Sequence, residues 1–208
     1  GNNVVINATT AASLATLALG AGFTQTIGTL AFGGAGGAAA SNNLTLNAPL
    51  LTAGEILLAS DGELSMESGS SIVSTGVGGK PDEILIEGDG TLIRVSSVEA
   101  AVSRTNTTGA ATALLEIGAN TKLTGSSVVL DSSRSSVIAP SLDIQANSLA
   151  LGAGQISLVF QSPVGGLTGS QFDTHLKLEG QFLADALSTQ SLTLQSYTSI
   201  DLYSNTSL

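Results

Sequence analysis

The side chains of this sequence that could do chemistry are acids first. Asp61, Glu63, Glu83, Asp89, Asp131 and Asp143 stand beside short apolar runs, and two carboxyls held about 5 to 9.5 Å apart are what hydrolysis of a glycosidic bond needs. Asp61 and Asp89 each precede a glycine, so an Asp-Gly turn corner is the preferred reading for both. Glu63 and Glu83 lie just ahead of two apolar pairs and are expected to stack about 4.8 Å apart on an outer edge. Like charges that close raise a pKa, which a solvated edge tolerates. Asp131 and Asp143 are the acids left for an enzymatic alternative.

His175 is the sole histidine. Neither a Ser nor a carboxylate stands at a recognisable triad spacing from it, and base catalysis needs an orienting partner, so it reads as a surface or satisfied residue. Arg94 interrupts an apolar run and is expected to pair with Glu87 or Asp89 across a corner. Tyr197 and Tyr203 could offer stacking faces to sugar rings, although capping the end of the chain is the preferred reading. Asp89 within Gly88-Asp-Gly90 hints at a calcium turn, but the motif does not recur in tandem as such sites require. Gly33-Gly-Ala-Gly-Gly37 would cradle phosphate only between a strand and a helix with a lysine following, and none follows. Asn43, Asn106 and Asn205 open glycosylation-type triplets, which say little in a chain so rich in Asn, Ser and Thr. The expectation is therefore no catalytic residue, no cofactor and no metal.

The elements that must position these residues are legible from Leu44 to Leu92. The pairs Leu44/Leu46, Leu64/Met66 and Ile84/Ile86 recur every twenty residues. One residue separates the members of each pair, which puts both side chains on one face of a strand. Ile72 and Leu92 follow eight residues after two of these openings, past turn-forming glycines. A fixed period near twenty is the mark of stacked repeats.

The pattern resumes at Leu115/Ile117 and runs on through Val128/Leu130, Leu142/Ile144, Leu149/Leu151, Ile156/Leu158, Leu176/Leu178, Leu192/Leu194 and Ile200/Leu202. The expected fold is all-β: a single-stranded right-handed parallel β-helix, or β-solenoid, with irregular insertions. Its handedness is taken from the general rule for parallel crossovers. Six to eight coils would make a rod of roughly 30 to 40 Å. Residues 1–208 are read as one domain, in which 1–43 form an irregular or capping opening segment and 44–208 carry the coils. Insertions fall near 96–112 and 161–174. Within the opening segment one or two strands compete with an amphipathic helix over Ala11 to Leu19, and Gly33 to Ala40 reads as a flexible loop.

Composition narrows the function. Hydrophobic residues make up 42% but aromatics only 3%, which suits a narrow interior filled by repeated aliphatics. Sixteen acids against six Lys and Arg give a net charge of −10, which repels phosphate backbones and disfavours nucleic acid as a partner. The absence of cysteine rules out a disulfide scaffold and thiolate metal sites. Ala11 to Phe23 is too short to span a bilayer, and no basic residue precedes it, so it is a poor signal peptide. Since Gly1 is not a natural start, the sequence reads as an excised piece of a longer protein, with any export signal outside it.

The runs Gly88-Asp-Gly-Thr-Leu-Ile-Arg-Val-Ser96, Val129-Leu-Asp131, Ser148-Leu-Ala-Leu-Gly-Ala-Gly-Gln-Ile156 and Leu194-Gln-Ser-Tyr-Thr-Ser-Ile-Asp-Leu-Tyr203 resemble stretches of large bacterial exoproteins of the filamentous haemagglutinin family, across roughly residues 44 to 208. That resemblance implies an internal section of the shaft of a two-partner-secreted adhesin and virulence factor. Such a shaft is right-handed, carried across the outer membrane by a dedicated transporter and displayed outside the cell or on its surface. It would meet host-cell glycans or matrix proteins without catalysis. The rival expectation is a carbohydrate-active β-helix, a lyase or hydrolase using Asp131 or Asp143. A passive scaffold segment with no ligand is the third.

Overall fold

The computed structural model of the chain describes residues 4–7, 12–21, 23–26, 29–32, 43–47, 50–60, 62–79, 82–108, 113–161, 172 and 174–204. All of its described elements are β-strands apart from one helix, Gly180–Ser188. The fold is all-β.

Alternation decides which side chains go inside. Leu44 and Leu46 are buried while Thr45 between them is partly exposed, as a period of two demands. Parallel pairing then lines these residues up at offsets of twenty or twenty-one. Leu44 lies opposite Leu64, Leu51 opposite Ile72, Leu115 opposite Ser136, Leu123 opposite Ile144 and Val128 opposite Leu149. The resulting columns of Leu, Ile and Val build one large apolar core. Truncating one of its members, such as Leu64 to Ala, costs about 2 to 5 kcal/mol.

The sheets are nevertheless mixed. Val4–Asn7, Leu44–Asn47, Glu63–Met66, Leu114–Ile117 and Ser135–Ile138 form a wholly parallel sheet. Glu63–Met66 pairs directly with Leu114–Ile117, skipping the third apolar pair of the twenty-residue series. Ile84 and Ile86 belong instead to Asp82–Glu87 in a separate sheet, between Thr29–Phe32 and Ala100–Thr105.

The corner Gly88-Asp-Gly90 then reverses the chain. Gly88 takes φ +86° there, a conformation that favours glycine. Thr91–Ser96 consequently enters the main ladder antiparallel to both neighbours, Leu51–Ser60 and Ser127–Ser132. Both faces of this strand are buried: Ile93 and Val95 join the large core, and Leu92 joins a smaller one with Leu57, Ile86 and Val129 beneath the separate sheet. The segment near 96–112 is thus docked, with Ala100–Thr105 lying parallel to Asp82–Glu87.

Among the described residues four strands run in the opening segment, where an irregular or capping entry with one or two strands was expected. Val4–Asn7 and Ala12–Ala21 pair in parallel with Leu44–Asn47 and Leu51–Ser60, so the ladders begin at Val4. Ala12–Ala21 being a strand overturns the helical alternative for that stretch. Phe23–Thr26 and Thr29–Phe32 make an antiparallel pair. Gly33 to Ala40 and nearly all of 161–174 lie outside the described residues.

The helix is the element that alternation did not foresee. Phe182, Leu183 and Ala186 bury one helical face in the large core. Asp185 accepts a 2.8 Å hydrogen bond from the Ile144 N–H, which satisfies a backbone donor of the edge strand Asp143–Gln145. The helix closes an edge that another strand would otherwise continue.

Candidate functional site

Beneath the docked strand Ala100–Thr105 lies a buried polar network. Arg104 shares the apolar side of its strand with Ala100 and Val102, and its guanidinium reaches Asp131 on the sheet below. Nε donates to Asp131 Oδ1 at 2.9 Å, and Nη2 binds the same oxygen. Nη1 and Nη2 also donate to the carbonyls of Gly88 and Gly90 at 2.6 and 3.1 Å. The Tyr197 hydroxyl donates to Asp131 Oδ2 at 2.7 Å. Burial first, and the Asp131 charge second, push the Tyr197 pKa far above its ordinary value, so the phenol stays protonated and keeps donating.

Tyr197 connects this network to an open groove of about 440 Å³. One wall is a column of stacked corners: Ser133 and Arg134 follow the strand Ser127–Ser132, Gly154 and Gln155 follow Ser148–Ala153, and Tyr197 and Thr198 follow Ser191–Ser196. The stacking is tight. Thr198 Oγ1 and Ser196 Oγ donate to the Gly154 carbonyl at 2.6 and 3.1 Å, and the Arg134 carbonyl sits where a Cβ on Gly154 would have to go. The opposite wall is the exit of the docked strand, Thr107 and Thr108. Asp89 holds that wall in place by accepting from the Thr108 N–H at 2.9 Å and from its hydroxyl.

The described lining of the groove carries hydroxyls, one amide, one aromatic ring and one guanidinium, and two carboxylates stand directly behind it, Asp89 on Thr108 and Asp201 at 2.6 Å from the Gln155 amide nitrogen. Asp131 lies behind Tyr197, already held by Arg104, and Asp143 is 3.3 Å from Lys122 Nζ on another part of the sheet. The two acids of the enzymatic alternative thus answer to different cations.

The other sequence candidates fall in separate places. Arg94 is buried and pairs with Glu55 at 2.6 Å, donating also to the Val98 carbonyl at 2.8 Å. Its partner is therefore Glu55 and not Glu87 or Asp89, because Arg94 lies on a strand whose antiparallel neighbour carries Glu55. Glu63 and Glu83 do not stack. Glu63 lies opposite Leu114 and accepts from the Asn43 amide at 3.4 Å, whereas Glu83 lies opposite Ala101 in the separate sheet. Tyr203 meets the edge of Phe172. Asn106 is exposed with φ +59°. Asp61, Gly33 to Gly37 and Asn205 lie outside the described residues.

His175 gains a serine that spacing did not reveal: Ser157 Oγ lies 3.1 Å from its Nδ1. Ser157 is fully buried and Phe172 packs edge-on against the imidazole, while His175 also lines a small pocket of about 100 Å³ with Lys177 and Glu179. Burial lowers the His175 pKa, Asp201 opposes this, and Lys177 reinforces it. The imidazole is neutral at neutral pH.

Sequence reasoning missed Arg104, Arg134 and Gln155. Arg104 carried a usable signal, since Ala100, Val102 and Arg104 share one strand face, which places a cation on an apolar side. Among the described residues, no group of three or more His, Asp or Glu could hold a metal ion, and no helix is long and apolar enough to cross a membrane. No protein-family model, curated protein or solved structure matches the chain.

Proposed function

We propose that the chain is a section of a right-handed parallel β-solenoid shaft from a large secreted or cell-surface bacterial exoprotein, similar to the filamentous haemagglutinins. It acts by adhesion and without catalysis. The observation that carries this reading is the parallel register recurring at twenty or twenty-one residues along several ladders, which is how coils of a solenoid stack. The antiparallel strand Thr91–Ser96 and its outer sheet are then an excursion from one coil, and the helix Gly180–Ser188 replaces one strand of another. Right-handed winding follows from the rule for parallel crossovers. The groove between the corner column and the excursion is the surface best suited to a host glycan or matrix protein. The partner in export is an outer-membrane transporter.

Binding of the purified chain to arrayed glycans and matrix proteins, with product analysis on the same glycans, tests this. Retention without products is the expected result. Accumulation of cleaved product would overturn the non-catalytic reading.

A further inference from the structure

We propose that the open edge of Ala100–Thr105 takes up a further strand, an extended segment of a partner protein with small apolar side chains at alternate positions and a Lys or Arg near one end. The inference rests on the adhesive reading above and names the kind of partner the excursion receives.

The backbone is the first argument. Among the described residues Ala100–Thr105 pairs with Asp82–Glu87 alone and so ends its sheet. The Gly88 N–H donates to the Thr105 carbonyl at 2.9 Å, which shows that Thr105 turns its backbone groups toward that neighbour. In a parallel ladder these groups alternate between the two edges of a strand. Ser103 and Ala101 therefore face the same way as Thr105, while Ala100 and Val102 each turn an N–H and a carbonyl to the other side, where no described strand pairs them. Main-chain bonds to such a row are what hold an added strand.

The floor beside that edge is the second argument. The main sheet continues past it, with Ser148–Ala153 and Ser191–Ser196 following Ser127–Ser132. A cavity of about 160 Å³ opens there between Ala100 and Val102 and a floor of Ala150, Gly152, Thr193 and Gln195. A strand added to Ala100–Thr105 would run about 4.8 Å further along, above this floor. Ala150 and Gly152 keep the floor low. A cavity of about 150 Å³ accepts a group the size of benzene, so aliphatic side chains no larger than Val or Leu at alternate positions fill the space.

Charge selects among such segments. Glu99 is exposed immediately ahead of the strand, and the whole chain carries a net charge of −10. Arg104, the one cation of the strand, is turned inward onto Asp131 and does not offset Glu99 at the surface. A basic segment is drawn to this edge and an acidic one repelled.

The test is fluorescence anisotropy of labelled peptides titrated with the whole chain. The probes are a hexapeptide of alternating Val and Thr led by two lysines, the same peptide led by two glutamates, and the lysine peptide N-methylated at every Val and Thr. The lysine peptide should bind about tenfold more tightly than the glutamate peptide and weaken as salt is raised, and the N-methylated peptide, stripped of its donors, should not bind. Glu99→Lys should remove the preference for the lysine peptide. Ala100→Pro deletes one outward N–H at the first residue of an edge strand, where proline is tolerated; it should weaken binding about tenfold while the circular dichroism spectrum and thermal midpoint stay those of the parent. Thr193→Trp, which raises the floor at an exposed position, should do the same and carries the test by itself if the proline variant does not fold. Undiminished binding in a folded Ala100→Pro or in Thr193→Trp, equal binding of the two charged peptides, or binding of the N-methylated peptide would overturn the proposal. Absence of binding by the lysine peptide would sink it as well, yet the adhesive reading would stand if the chain is still retained on arrayed glycans or matrix proteins; failure of both assays would sink both.

Discussion

Gly152 lies in register with Asp131 on the neighbouring strand, and a methyl group on Gly152 would collide with Oδ2 of that carboxylate. Arg104 holds Oδ1 and the Tyr197 hydroxyl holds Oδ2, so the carboxylate can move aside only by giving up hydrogen bonds. Glycine at 152 is therefore required by a side chain on the next strand, and that side chain fixes one wall of the groove.

Gly152→Ala is expected to destabilise the chain by about 2 kcal/mol, the usual cost of overpacking. Removing the tyrosine hydroxyl should relieve part of this, since the carboxylate can then turn away. In a double-mutant cycle with Tyr197→Phe, read by urea denaturation, the coupling should be about 1 kcal/mol. Strict additivity would show that the three side chains do not act together.

Ser136 lies opposite Leu115, in a register column whose other positions are Leu64, Leu44 and Val4. Its hydroxyl is buried and has no hydrogen-bond partner among the described residues. An unmet buried hydroxyl costs about 1 to 3 kcal/mol, so Ser136→Ala should raise stability by about 1 kcal/mol in the same denaturation experiment. A loss of stability would reveal a partner for the hydroxyl.

His175 gives the fold a pH dependence with a defined sign. Burial lowers its folded pKa below the ordinary 6.5, with Asp201 opposing and Lys177 reinforcing the shift. The unfolded chain thus takes up a proton near pH 6.5 that the folded chain takes up only at lower pH. Stability is complete above that value and declines as pH falls from about 6.5 toward 5.5. The thermal midpoint should drop by a few degrees across this window, above the range where ordinary carboxylates titrate. His175→Gln should flatten the drop, and an equal slope in that variant would place the effect elsewhere.

How far the sequence reveals the fold is clearest where one spacing had two outcomes. Leu44/Leu46 and Leu64/Met66 do stack, yet Ile84/Ile86, at the same interval, lies in another sheet. A two-residue alternation reports which face a side chain takes and is silent about which sheet receives it. The reversal at Gly88 to Gly90 made the difference, and a glycine corner does not declare its direction. In Gly180–Ser188 the apolar residues Phe182, Leu183 and Ala186 recur at helical spacing, but nine residues among alternating pairs are easily absorbed into the strand pattern. The groove was less legible still. Arg104 and Asp131 are twenty-seven residues apart, and Tyr197 lies sixty-six beyond Asp131. Ser133, Gly154 and Tyr197 each look like an isolated turn until the pairing of the strands they follow is known.

The last described strand leaves core positions uncovered. Ile200 and Leu202 lie opposite Ile156 and Leu158 of the large core, and register partners in a parallel pair share a face. They are nonetheless 43% and 70% exposed. Among the described residues, Ile200–Tyr203 pairs on one side only, so there an apolar strip runs beside a row of backbone donors and acceptors that no described strand pairs. Such an edge recruits another strand. The isolated chain is expected to associate reversibly as its concentration rises, through this edge. Leu202→Lys should suppress that association in sedimentation velocity without moving the thermal midpoint, because the side chain it replaces is mostly in water. Association that persists unchanged in the lysine variant would place the contact elsewhere on the molecule.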